Sequence, residues 1–428
     1  MAIRIEVPPS LQLESRLATV AGHGRRPIAL RWHASSEIPF SMEFVSRLCA
    51  VLIARHDILR FRFQSDTRVD VLDMQSAVQQ MTTNFVEIRD VDDSDPQTLA
   101  RESNAYFEPL DLSQGLAALV ICIGRSGNIV AVIVAVDHVA MDERSFVGLD
   151  QTMQEILSDP GIRHADPRYD YLAYCHEQRL TLASEEGREC VARAKRSMDT
   201  LGGYPPRVDA LLRADPCSID QPTFSECKTA VTWRSLTDAA RSERVSVYTF
   251  CMASFFDALT TVFDRQVAAV CASVHGRSRV RYADSCGLFS FGVPVALIDR
   301  SSRLTPSERR RIVDAEFATI VDGALPLVQL GRRFDLDWTN QSAGAAIYFE
   351  VRPLRRAEAG TAHRGEFLLA KASARPGMGS DVFISVREDE GGTTKATAEF
   401  DAGTVDRRQV ELLLASLSDS LILAINHQ

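Results

Sequence analysis

Ile129-Val-Ala-Val-Ile-Val-Ala-Val136-Asp137-His138-Val-Ala-Met-Asp142-Glu143 is the stretch on which the reading of this chain turns. An uninterrupted valine-rich run ends in an aspartate and a histidine. Short apolar runs of this composition form strands buried on both faces. From Phe146 the apolar residues recur as Leu149, Met153, Ile156 and Leu157, the spacing of an amphipathic helix. His138 therefore stands where a core strand gives way to a helix, a junction able to hold an imidazole rigidly for acid–base chemistry. Read alone, a histidine at a strand end is ordinarily a satisfied polar group, and HxxxD arises often by chance. The surroundings have to decide.

Leu116 to Ile123 and Ile129 to Val136 are apolar runs joined by Gly124-Arg-Ser-Gly127-Asn128, which predicts a hairpin. Upstream, Phe44 to Phe63 reads as a helix feeding a strand, with Val45, Leu48, Cys49, Leu52 and Ile53 on one face. Downstream, Tyr171 to Leu201 is a long polar helical stretch, expected to be a solvated connector. The second half repeats the alternation: a helix over Val245 to Phe263, strands over Val267 to Val274, Leu288 to Ile298, Ala345 to Val351 and Asp381 to Val386, and a final helix from Asp406 to Ile425. Mixed strands and helices in both halves predict two α/β sandwich lobes. The expected division is 1–175 and 176–428, with residues 176–205 as the connector helix.

A chain of 428 residues with 45% hydrophobic content can build two cores. Its net charge of −9 argues against nucleic-acid binding, which needs a basic footprint. No apolar run reaches the roughly eighteen residues that span a bilayer, and the charged N-terminus is not expected to be a signal peptide. A soluble cytoplasmic protein with no membrane partner is expected. Nine dispersed cysteines without CxxC spacing read as reduced thiols packed as small hydrophobes. The histidines are isolated from one another, so no metal site is expected. Gly22-His23-Gly24 lacks the rest of a dinucleotide fingerprint. Arg309-Arg310-Arg311 and Arg355-Arg356 read as solvated charge, or else as docking points for acidic partners.

Several segments, in this order, resemble motifs of the condensation domains of nonribosomal peptide synthetases, in the wider chloramphenicol-acetyltransferase-like superfamily. Ser10-Leu-Gln12-Leu-Glu-Ser-Arg16-Leu17 is similar to the opening SxxQxRL, and Arg55-His56-Asp57-Ile58-Leu59-Arg60 to RHExLR. Phe107-Glu-Pro-Leu110-Asp111-Leu112-Ser113 resembles PFDLS, and Asp137 to Glu143 falls where the family has HHxxxDG. Gly276-Arg277, then Gly287-Leu288-Phe289 and Pro294, resemble AGR and GFFVNTLP. The resemblance implies two related lobes forming a V-shaped pseudodimer around a central tunnel, with His138 midway along it. It also implies phosphopantetheine arms of carrier proteins as the source of substrates, acting in trans, and no cofactor bound by the chain itself. The reaction implied joins an acyl thioester to an amine or hydroxyl acceptor, small or carrier-bound.

By this resemblance His138 is the catalytic histidine, acting as general base or positioning group. An unperturbed imidazole, pKa roughly 6.5, accepts a proton near neutrality. Asp142 is implied to be structural and expected to pair with Arg277; read from spacing alone, it is an acid at a helix N-terminus. Asp137, Glu143, Ser290, Phe291 and Tyr348 are expected to line the passage. Three of these depart from the family. Asp137 replaces a histidine, Glu143 a glycine, and Ser290-Phe291-Gly292 the VNT segment. Such changes fit either an unusual substrate or a non-catalytic module that recruits a partner enzyme or carrier. Epimerisation domains carry EGHGRE where this chain has Ser273-Val274-His275-Gly276-Arg277-Ser278, so the second base of that mechanism is missing. An acyl-CoA-dependent transferase shares HxxxD and is a further alternative.

Overall fold

Both faces of the strand preceding His138 are buried, which is why its sequence does not alternate. In a computed structural model the described residues are 4–7, 9–10, 13, 27–34, 40–65, 68–90, 116, 118–125, 128–142, 144–159, 161–162, 166–201, 207–214, 222–263, 267–277, 282–298, 305–321, 345–352, 366–369, 381–389 and 391–426. The chain divides into two units. The first takes Met1–Ser184, His275–Ser290 and Ala357–Lys371; the second takes Glu185–Val274, Phe291–Arg356 and Ala372–Gln428. This differs from an uninterrupted division at 175/176, because two later segments return to the first unit. The expected connector is likewise two helices, Asp170–Ala183 and Glu185–Leu201, parted at Ser184, whose backbone is extended. The first of them buries Tyr171, Cys175, Gln178 and Leu182, so it is packed rather than solvated.

In the first unit, β1 (Arg4–Val7), β3 (Phe61–Phe63) and β4 (Val69–Leu72) form a small sheet in the order β1-β4-β3. The larger sheet holds β2 (Pro27–His33), β5 (Val86–Asp90), β6 (Ala118–Arg125), β7 (Asn128–Asp137) and β13 (Glu366–Leu369), ordered β13-β2-β7-β6-β5. β6 and β7 pair antiparallel as the expected hairpin, with a register shift at Ile123/Gly124. Along β7, Val132, Val134 and Val136 enter the main core of this unit. Ala131, Ile133 and Ala135 face the other way, against Ala29, Ile121 and Ile123. The main core is completed by α1 (Met42–Arg55), α2 (Met74–Asn84), α3 (Ser145–Ser158) and α4 (Asp170–Ala183). Ser41 starts α1 by accepting the Phe44 N–H on its hydroxyl, the usual way to satisfy an orphan amide.

The segment after α1 ties these helices together. Arg55 pairs with Glu155 on α3. Thr152 donates its hydroxyl proton to the Gly148 carbonyl, so the His56 Nε2–H, 3.0 Å away, is the donor to Thr152. Asp57 accepts the Tyr171 and Leu172 amides at 3.2 and 2.8 Å, capping α4. Arg60 donates to the Arg168 carbonyl at 2.7 Å and lies over the Tyr169 ring. Burial pushes the His56 imidazole down to about 3, helped by the Arg55 and Arg168 cations. Burial also pushes Asp57 up to about 6, against the pull of the two amides.

The second unit is built on one sheet in the order β11-β10-β12-β14-β15-β9. Its strands are β9 (Pro222–Thr232), β10 (Val267–Val274), β11 (Phe291–Ile298), β12 (Ala345–Arg352), β14 (Val382–Glu388) and β15 (Thr393–Asp401), with the short β8 (Arg207–Val208) on β12. The β10/β12 and β12/β14 joints are parallel and the others antiparallel. α5 (Glu185–Leu201) and α6 (Trp233–Ser242) precede α7 (Val247–Phe263), whose Phe250, Phe255 and Phe256 fill the core with α8 (Pro306–Val321) and α9 (Arg407–Asn426). Among the described residues only α9, taken singly, has the length and hydropathy to cross a membrane. Its Val410, Leu413, Leu414, Leu417 and Leu421 lie in the core. The basic run on α8 is solvated only in part: Arg309 pairs with Asp257, Arg310 is buried against Glu243 and over Phe250, and Arg311 is exposed. Arg355 and Arg356 lie outside the described residues. Of eight described cysteines seven are buried, and Cys227 is half-buried.

Candidate functional site

β7 ends at Asp137, and the chain turns at once. The Ala140 amide donates to the Asp137 carbonyl at 2.9 Å, and the Asp137 carboxylate accepts the Val139 amide through Oδ1 at 2.9 Å. Asp137 is buried and shapes this turn. The His138 ring, partly buried, folds over it and places Nδ1 2.7 Å from the Met141 carbonyl oxygen. A carbonyl can only accept, so Nδ1 carries the proton. In the neutral ring the lone pair is then on Nε2, and an imidazolium formed there would keep its bond to Met141.

Asp142 fixes the far end of this loop. It is buried together with Arg277, and their contact is bidentate: Nη1 to Oδ2 at 2.7 Å and Nη2 to Oδ1 at 2.8 Å. Oδ1 also accepts the Ser145 amide and lies 2.8 Å from the Ser145 hydroxyl. Oδ2 accepts the Phe289 and Ser290 amides, each at 3.1 Å. Burial would raise the pKa of this carboxyl. The Arg277 guanidinium and the hydrogen bonds outweigh it and hold the carboxyl below its ordinary value. Asp142 is thus both the partner of Arg277 and an acid at the N-terminus of α3.

Ser145, which motif reading passed over, joins this cluster, and so does Gly287, read from sequence only as the first residue of a motif. The Gly287 amide donates to the Ser145 hydroxyl at 3.0 Å, while the Gly287 carbonyl accepts from the Asp142 amide at 3.2 Å. Ser145 Oγ lies 2.8 Å from both Asp142 Oδ1 and the Gly287 carbonyl, and its single proton serves one of them at a time. A Cβ on Gly287 would come 2.1 Å from the Tyr171 ring, which explains the bare backbone there. Phe289 lies under the guanidinium of Arg277, 4.2 Å from ring centre to carbon, and packs against Tyr171, Tyr174 and Tyr282. Ser145 stands three residues after Asp142, the spacing of a helix-start signal.

The remaining expected residues scatter. Glu143 lies outside the described residues, as do the whole of the Phe107–Ser113 segment and Ser278. Ser290 is half-buried and its amide serves Asp142. Phe291 opens β11, and its side chain sits in the core of the second unit. Tyr348, on β12 in the same unit, is buried and stacks on Phe383 at 5.2 Å; burial raises its phenol, with Cys271 and Ser273 beside it. Among the described residues no group of three or more His, Cys, Asp or Glu is placed to hold a metal.

The architecture, two sheet-containing α/β units with a loop-borne histidine after the central hairpin of the first, is that of the chloramphenicol-acetyltransferase-like class. A family model described as Condensation domain matches residues 34–301, more than half of the chain, and the chain belongs to the condensation domain family. Among solved structures, the condensation domain of the monacolin K polyketide synthase is similar over 99% of this chain and 98% of that one, at 14% identity and TM-score 0.77. The X-domain from teicoplanin biosynthesis is similar over 98% and 95%, at 14% identity and TM-score 0.72. The epimerization domain from the third module of tyrocidine synthetase B is similar over 99% and 98%, at 12% identity and TM-score 0.71. At these identities the likeness is one of fold. No curated protein matches the sequence significantly.

Proposed function

We propose that the protein is an acyltransferase that condenses a carrier-bound acyl thioester with an amine or hydroxyl acceptor, with His138 as general base. One observation carries this: the Met141 carbonyl fixes the proton on His138 Nδ1 and therefore the lone pair on Nε2. The buried Asp142–Arg277 pair anchors the loop that presents the ring. In the reaction the acceptor's nitrogen or oxygen forms a bond to the acyl carbon as the carbon–sulfur bond breaks. The acceptor's proton passes to His138 Nε2 and leaves on the departing thiol, so the imidazole ends as it began. The phosphopantetheine arm of a carrier protein supplies the thioester, and the chain's own contribution is the base and its placement.

The test is to mix the protein with an acyl-loaded carrier and candidate amines and follow the carrier by intact-protein mass spectrometry. His138→Ala should slow loss of the acyl group by about 10²–10⁴-fold while thermal unfolding is unchanged. Equal rates in the two proteins would remove His138 from the chemistry. A second reading is a docking module without turnover. It is favoured by Asp137, where the family carries a histidine and this chain has a turn-capping carboxylate. The X-domain of teicoplanin biosynthesis has been solved in complex with OxyB, a precedent for such docking in this fold. Wild-type protein that binds loaded carrier yet never deacylates it would favour that reading.

A further inference from the structure

His275 follows directly on β10, and the chain reverses at Gly276, whose φ of 62° is open to glycine at little cost. The reversal aims the Arg277 amide back at His275 Nδ1, 3.1 Å away. An amide N–H can only donate, so Nδ1 holds the lone pair and the proton of the neutral ring sits on Nε2. Protonating Nδ1 would set two N–H groups against each other. Burial, and then the Arg144 and Arg277 cations, lower the imidazole's pKa, opposed by Asp142. The ring is exposed, so its Nε2 edge is open to a ligand.

His138 is held in the opposite sense, with Nδ1 protonated and the lone pair on Nε2. The two rings are tied to the two ends of one ion pair. Met141, which fixes His138, adjoins Asp142; Arg277, which fixes His275, is the partner of Asp142. A single buried cluster therefore holds one imidazole as an acceptor and another as a donor. Attack on a thioester calls for both, a base for the incoming proton and a hydrogen bond to the carbonyl oxygen as it gains charge.

We infer that His275 is a second catalytic residue of this site, its Nε2–H hydrogen-bonding the carbonyl oxygen of the acyl thioester. The inference rests on the acyl-transfer reading above and adds a donor to it. Asparagine and glutamine separate this role from simple support of the turn. His275→Asn puts an amide oxygen where Nδ1 was, keeping the bond from Arg277 and losing the donor. His275→Gln puts an N–H where Nε2 was.

Transfer from an acyl-loaded carrier should fall about 10²–10³-fold in His275→Asn, with the urea midpoint unchanged, and recover in part in His275→Gln. In the wild-type protein the His275 Nε2–H resonance should shift when acetyl-pantetheine is added. A fully active His275→Asn variant, or imidazole signals unmoved by saturating acetyl-pantetheine, overturns the assignment. If His138→Ala abolishes transfer and His275→Asn does not, the acyl-transfer reading stands and this one falls. If the wild-type protein makes no product but the His275 signal moves, the site binds a thioester carbonyl as inferred and the acyl-transfer reading fails instead. Should His275→Asn fail to fold, the wild-type titration still decides.

Discussion

Each oxygen of Asp142 accepts or adjoins three donors, shared among Arg277, Ser145 and the amides of Phe289 and Ser290. A carboxylate so enclosed cannot turn to water if its cation is removed. Arg277→Ala should therefore cost about 3–5 kcal/mol, because it leaves a buried charge with neutral donors only. Arg277→Lys should restore part of this, since one ammonium cannot reproduce the fork on both oxygens. Urea unfolding of the three proteins measures it, and a loss in Arg277→Ala within error of zero would mean that solvent reaches the carboxylate. The same contacts explain why Ser145 matters more than a helix-start serine should. Its hydroxyl joins the α3 terminus to Gly287, 142 residues further along the chain.

At the level of elements, the first unit depends on close approaches that only glycine permits. α4 brings the Tyr171 ring against the Gly287 backbone, and the Tyr171 hydroxyl donates to the Leu288 carbonyl at 3.0 Å. α3 brings Gly148 so near the Asp284 carbonyl that a Cβ would sit 2.8 Å from it. Gly287→Ala should destabilise the protein by about 1–3 kcal/mol through forced displacement of Tyr171. It should also disturb the His138 loop, since the Gly287 carbonyl binds the Asp142 amide. Gly391→Ala, whose Cβ would meet only ordinary contacts from 3.4 Å outward, is the control and should change stability by less than about 0.5 kcal/mol. Thermal melts with matching His138 NMR spectra would check both. An unaltered melt for Gly287→Ala would show that α4 can shift without cost.

For the molecule as a whole, the buried pair His56 and Asp57 sets an unusual response to acid. The folded pKa of His56 is depressed, from 6.5 to about 3, so its contribution is present above the unfolded value and lost as pH falls toward 3. At about 1.4 kcal/mol per unit this amounts to roughly 5 kcal/mol. Asp57 runs the other way. Its folded pKa is raised from 3.8 to about 6, so stability is regained as pH falls through that window, by roughly 3 kcal/mol. The two slopes oppose between pH 6 and 4, and stability of the wild-type protein should change little there. Below pH 4 it should drop, as His56 continues to be titrated and Asp142, held below its ordinary value, begins to protonate. His56→Gln keeps a donor for Thr152 and removes the histidine slope, so its urea midpoint should rise between pH 6 and 4. A His56→Gln profile parallel to wild type would refute the assignment of opposing slopes.

The strand at Val267–Val274, the helices ending near Phe263 and Asn426 and the hairpin into His138 could be read from local pattern. Burial periodicity is a property of neighbouring residues, and it survives without knowledge of the rest of the chain. Motif order carried the family for the same reason, since each motif is short and contiguous. The return of residues 275–290 and 366–369 to the first unit could not be read, nor could the break at Ser184 or the roles of Ser145 and Gly287. The tautomers of His138 and His275 were equally hidden. Each is set by which backbone group faces Nδ1, a carbonyl in one case and an amide in the other. Hydrophobic pattern places a side chain on a face, but the direction of a hydrogen bond is fixed only when distant segments have packed.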